Sequence, residues 1–139
     1  MGTRSLTHIL EDEQTLTTLY RQYDGYLSGH GRELAEFLKE IQIVNGYSGD
    51  TSNLANGMGC LTAQLISHFK KGIGNIYVYP ANTKDCWEEY TYYVYLKEVT
   101  LENKLVDKKL FIKVKDTYSK DVVFDGLPTE LLTKIEKDA

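Results

Sequence analysis

The sequence predicts an α+β domain, an antiparallel sheet of about six strands with two main helices packed on one face, in the order ββααββββα. Three observations carry that reading. Leu34, Phe37, Leu38 and Ile41 recur at i, i+3, i+4 and i+7 with Arg32, Glu33, Glu36, Lys39 and Glu40 between them, which is the pattern of an amphipathic helix. Tyr90, Tyr92, Val94 and Leu96 alternate with Thr91, Tyr93, Tyr95 and Lys97, which is the two-residue period of a strand with one buried face. At 139 residues the chain has the commonest size of one domain, so residues 1–139 are read as a single α+β unit with one core.

In chain order, Arg4 to Leu10 and Leu16 to Tyr23 flank the polar run Glu11-Asp12-Glu13-Gln14 and read as a hairpin with a loop of about four residues. Three glycines follow within seven residues, in Gly25-Tyr26-Leu27-Ser28-Gly29-His30-Gly31, and mark a tight connection into the first helix. A second helix is expected from Ser52 or Asn53, either of which can cap it, to Lys70-Lys71-Gly72. Leu54, Met58, Leu61, Leu65 and Phe69 would share its apolar face, while Gly57 and Gly59 are anomalous in a helix interior, each costing about 1 kcal/mol against Ala. Strands are expected over Asn75 to Tyr79, Glu88 to Glu98, Leu110 to Lys115 and Val122 to Phe124. Pro128 then opens a short helix carrying Leu131, Leu132 and Ile135.

A net charge of -4 argues against attraction to nucleic acid or an anionic membrane, and no apolar run is long enough to span one. The segment Met1-Gly2-Thr3-Arg4-Ser5 lacks the basic and apolar regions of a secretory signal, so a cytoplasmic protein is expected, with Cys60 and Cys86 as free thiols. His8, His30 and His68 do not show zinc-site spacing, and no metal or cofactor is expected.

The densest polar and glycine-rich stretch runs from Tyr20 to Gly31. Open amides at a helix N-terminus, approached across Gly29 and joined by Arg21, Ser28 and His30, would make a phosphate site, and Asp24 and Tyr26 lie in the same loop. The same glycines would equally serve a turn with no ligand. Arg4, on the neighbouring strand, would reach that edge, and two arginines favour a multiply charged ligand. Asn56 and Met58, in Asn56-Gly57-Met58-Gly59-Cys60, offer a second helix N-terminus that would face the first across a cleft, with Cys60 more naturally a small core residue than a nucleophile. The aromatics Tyr77, Tyr79, Trp87, Tyr90, Tyr93 and Tyr95 suit either a core or the stacking of a flat ring.

Gly2-Thr3-Arg4-Ser5-Leu6-Thr7, Tyr20-Arg21-Gln22-Tyr23-Asp24-Gly25-Tyr26, Ser28 to Leu38 and Asn56-Gly57-Met58-Gly59-Cys60 together resemble an uncharacterised family of phages, large DNA viruses and scattered cellular genomes. The likeness covers about two thirds of the chain, and Leu27 stands where that family's pattern more often has Pro. The resemblance implies one fold and one site region, and a host-cell cytoplasmic location if the protein is phage-encoded.

The leading functional expectation is a non-catalytic binding protein for a small phosphorylated ligand of cyclic nucleotide or ADP-ribose type, in the manner of a phage sponge that sequesters a nucleotide immune signal. The alternatives are a small hydrolase or transferase using His30 and Asp24, and a protein–protein inhibitor or adaptor acting through exposed tyrosines such as Tyr93 and Tyr95. A homo-oligomer is a further expectation, because exposed aromatics are often buried against a second copy.

Overall fold

Residues 2–139 are described by the computed structural model. The first hairpin joins β1 (Ser5–Glu11) to β2 (Gln14–Arg21) through Asp12 and Glu13 alone, both in the left-handed region at φ 49° and 71°. The expected loop of about four residues is thus a two-residue turn, whose twist suits the strands it joins. A wide helical turn, Leu27–Gly31, runs directly into α1 (Arg32–Leu38). Two short strands, β3 (Gln42–Val44) and β4 (Leu54–Asn56), precede α2 (Gly57–Phe69). The second half holds β5 (Ile76–Tyr79), β6 (Tyr90–Thr100), β7 (Val106–Asp116), β8 (Val122–Gly126) and α3 (Pro128–Lys137).

The α+β class and the six-stranded sheet agree with the sequence expectation; the pairing within the sheet does not. Its order is β5-β2-β1-β6-β7-β8, and β1 and β6 at its centre run parallel. On either side of that seam lie three antiparallel strands, β5-β2-β1 and β6-β7-β8. The two-residue period is the same for either direction, so the alternation in β6 places its buried face without choosing its partner's direction.

Two further differences are local. Residues 54–56 do not belong to α2 but pair in parallel with Gln42–Val44, and Gly57, at φ +84°, turns the chain from that strand into the helix. A Cβ at Gly57 or Gly59 would meet no atom within 4 Å, so both glycines ease the entry to α2 rather than admitting a close neighbour.

All three helices lie on one face of the sheet. Leu34, Ala35 and Leu38 of α1, Met58, Leu61 and Leu65 of α2, and Leu131 and Ile135 of α3 form one buried cluster with Ile9, Leu19, Tyr92, Val94, Ile112 and Val114. Each such Leu or Ile contributes about 1.5–3 kcal/mol by leaving water. Among the described residues, no helix is long and apolar enough to cross a membrane.

Glu13 carries a branched-off side chain in a conformation that glycine adopts freely, so Glu13→Gly is expected to stabilise the protein by about 0.5–1 kcal/mol in urea denaturation. A fall in midpoint would mean that the turn is not the two-residue form.

Candidate functional site

Strand parity sends Thr7 and Arg21 to the helical face of the sheet, opposite His30 in the wide turn. Arg21 Nη1 donates to His30 Nδ1 at 3.1 Å and is paired with the Glu33 carboxylate, while Arg21 Nε donates to the Tyr23 carbonyl at 2.8 Å. A guanidinium has no lone pair to offer, so His30 Nδ1 must be the acceptor and Nε2 must carry the proton. That Nε2–H then donates to Thr7 Oγ1 at 2.9 Å. The ring stands edge-on to Tyr92 at 4.8 Å and tilted to Phe69 at 5.5 Å, and His30 is buried. Burial and then the neighbouring Arg21 charge lower its pKa from 6.5 to about 3, so the imidazole is neutral.

The backbone of the turn is equally engaged. The amides of Gly29 and Gly31 bond to the Tyr26 carbonyl, that of His30 to Asp24 at 2.7 Å, and that of Gly25 to Thr3 at 2.9 Å. The Arg32 amide bonds to Gly29 and Leu27. Tyr92 closes the arrangement by donating its hydroxyl to the Gly25 carbonyl at 2.8 Å. Gly25 and Gly29 are needed for contact: a Cβ on Gly29 would lie 2.4 Å from the Asp24 carbonyl, and one on Gly25 would lie 2.8 Å from the Ser5 Cβ. The loop that reads as an open phosphate cradle is therefore a closed lock between β1, β2 and α1, with Arg21 and His30 turned inward.

The remaining sequence candidates are dispersed. Asp24 accepts from the Tyr26 hydroxyl at 3.3 Å and meets His30 through its backbone carbonyl, so its carboxylate does not orient the imidazole as a base–orienter pair would require. Ser28 offers its carbonyl to Arg32 Nε at 3.3 Å rather than capping α1. Asn56 accepts the Gly46 amide at 2.8 Å, and Met58 is buried beside a cleft bounded by Leu10, Ile43 and Tyr95 that no residue of the glycine-rich loop lines. The expected cleft between two helix N-termini does not form from these residues. Cys60, expected in the core, is exposed because α2 turns Met58 and Leu61 inward; its thiol donates to Gln64 Oε1 at 3.6 Å. Among the described residues, no group of three or more His, Cys, Asp or Glu could hold a metal ion.

Arg4 belongs to a different place. The Arg4 carbonyl accepts the Glu89 amide at 2.8 Å and the Glu89 carbonyl accepts the Thr117 amide at 3.0 Å, which gathers three distant segments side by side. Between them opens a cleft of about 640 Å³ lined by Gly2, Thr3, Arg4, Trp87, Glu89 and Tyr118. Trp87 is 77% exposed and Tyr118 71% exposed, and the Arg4 guanidinium carbon stands 5.9 Å from the indole centroid. Trp87 also holds φ +59°, a left-handed conformation that costs a bulky residue of order 1–3 kcal/mol. The sequence names Trp87 as one stacking aromatic among several, but gives no reason to pair it with Tyr118, which lies in the turn between β7 and β8. No protein-family model, curated protein or solved structure matches the chain in comparison.

A histidine held neutral in the fold but free to charge when unfolded makes stability depend on pH. Because the folded pKa of His30 lies below the unfolded value, its contribution is complete above pH 6.5 and declines as pH falls toward about 3. Urea denaturation from pH 7 to pH 4 should show a slope approaching about 1.4 kcal/mol per pH unit from this residue. In His30→Gln the slope should shrink, although overall stability falls; an unchanged slope would mean that His30 is accessible to protons.

Proposed function

We propose that this chain is a binding protein that holds a small phosphorylated ligand carrying a flat ring, without turning it over. The binding place is the cleft between Arg4, Trp87 and Tyr118 rather than the glycine-rich loop. The observation that carries the reading is Trp87: a large apolar ring, mostly exposed, kept in an unfavourable backbone conformation beside an arginine. Backbone strain of that kind persists only where surrounding structure imposes it.

The chemistry of the lining follows from its residue types. An indole and a phenol offer faces for a nucleobase, with stacking of about 1–3 kcal/mol per base. A guanidinium next to them can hold a phosphate through paired N–H donors. Nucleotide signals, including cyclic nucleotides and ADP-ribose derivatives, combine both features. Sequestration of such a signal, as a phage sponge does, is the biological role consistent with this lining.

Trp87 is the chain's single tryptophan, so its fluorescence reports directly on occupation of the cleft. Incubation with cyclic dinucleotides, cyclic trinucleotides and ADP-ribose signals should quench that fluorescence and deplete one class from solution, with intact molecules released on heating. Release of an altered molecule would make the protein an enzyme. Arg4→Ala should weaken binding at least tenfold, or about 1.4 kcal/mol; no depletion or quenching by any member would refute the reading.

A further inference from the structure

The face of the sheet opposite the helices holds a second group of polar residues. His8, Thr18, Glu88 and Thr91 are each at least nine-tenths buried there, beneath the segment between β5 and β6. His8 Nδ1 lies 2.7 Å from Thr18 Oγ1, and Thr18 Oγ1 also accepts the Asn82 amide at 3.0 Å. A threonine oxygen can accept twice and donate once, so the Asn82 amide leaves it able to donate to His8 Nδ1 or to accept from it. Among the described residues His8 Nε2 has no hydrogen-bond partner, yet it is not among the buried side-chain atoms lacking one, which are Ser5 Oγ and Asn75 Oδ1. It therefore reaches the adjoining pocket of about 330 Å³, which His8 lines.

The charges around that pocket are unusual in being unpaired. Glu88 is 4% exposed and accepts the Cys86 amide at 2.7 Å, and Asp85 and Asp116 line the same space together with Lys84, Lys115 and Lys120. Yet the ion pairs among the described residues are Arg21 with Glu33 and Lys134 with Asp138, neither of them here. A buried carboxylate without a cation is costly, and its most direct relief is a positive donor from outside. Conversely, the lysine ammonium groups call for an acceptor anion.

We infer that this pocket is a binding site for a small zwitterion, a molecule bearing a carboxylate and an ammonium group on the same or neighbouring carbons, as free α-amino acids do. The carboxylate lies against the lysines and the ammonium group against Glu88, with His8 Nε2 beside them. A simple anion would sit beside the buried Glu88 charge uncompensated, and a simple cation would meet the lysines; only a ligand with both signs satisfies both sides. The site is separate from the Trp87 cleft and does not depend on the reading given to that cleft.

The test uses the full chain labelled at its histidines and titrated by NMR with the free amino acids, with acetate and with methylammonium. At least one amino acid should shift the His8 resonances saturably while leaving those of His30 in place, and neither acetate nor methylammonium alone should match it. Glu88→Gln should weaken that amino acid at least tenfold and bring acetate level with it, with the unshifted His30 signals showing that the fold is kept. Equal binding of acetate by the parent, or no saturable shift with any amino acid, overturns the proposal.

Discussion

Arg21 cannot surrender its charge, and it lies almost wholly inside the protein at the end of β2. What makes that position tolerable is a set of acceptors drawn from three separate segments: the Tyr23 carbonyl, His30 Nδ1 and the Glu33 carboxylate. Because the guanidinium can only donate, it selects the histidine tautomer, and that tautomer in turn addresses Thr7 on β1. One fixed charge thus ties the first hairpin to the wide turn and to α1. The Tyr92 hydroxyl extends the tie to β6, the strand that joins the two halves of the sheet.

This arrangement decides which surface of the protein is left for ligands. On the helical face, the apolar cluster and the Arg21–His30–Thr7 connection leave Arg21, His30 and Thr7 buried, with Glu33 half exposed at the edge. On the opposite face, the sheet is covered in part by the segment between β5 and β6, whose contacts are polar: Asn82 to Thr18, and Glu88 beside His8. The two candidate ligand places both border that segment, with Trp87 on one side and Glu88 on the other. Trp87, Tyr118 and Glu88 thus all lie outside the regular strands and helices.

Much of the fold is legible in the residues themselves. The apolar spacing from Leu34 to Ile41 marks α1, although the helix closes at Leu38 and Ile41 packs on the cluster from outside it. Pro128 with Leu131 and Ile135 marks α3. The parallel seam between β1 and β6 is illegible because alternation encodes a face and not a direction, and β4 is hidden because three residues with an apolar Leu54 read as the start of the helix behind them. The candidate site divides in the same way. Arg21, His30 and the glycines stand out in sequence and do converge in space, but a donor-rich loop looks alike whether its donors face a ligand or one another. His8, Glu88 and Tyr118 carry no local pattern, since their significance comes from strands and turns brought together over long separations.

The account turns on His30 being a fixed neutral hinge between Arg21 and Thr7 rather than a site residue. Long-range nitrogen–proton correlation NMR on the labelled protein measures this directly, through the chemical shifts of the two ring nitrogens. The account predicts a protonated Nε2 and an unprotonated Nδ1 in His30, unchanged from pH 8 to pH 5, because its pKa lies near about 3. A proton on Nδ1, or a midpoint near the ordinary value of 6.5, would contradict it and return the glycine-rich loop to the place of first candidate for the ligand.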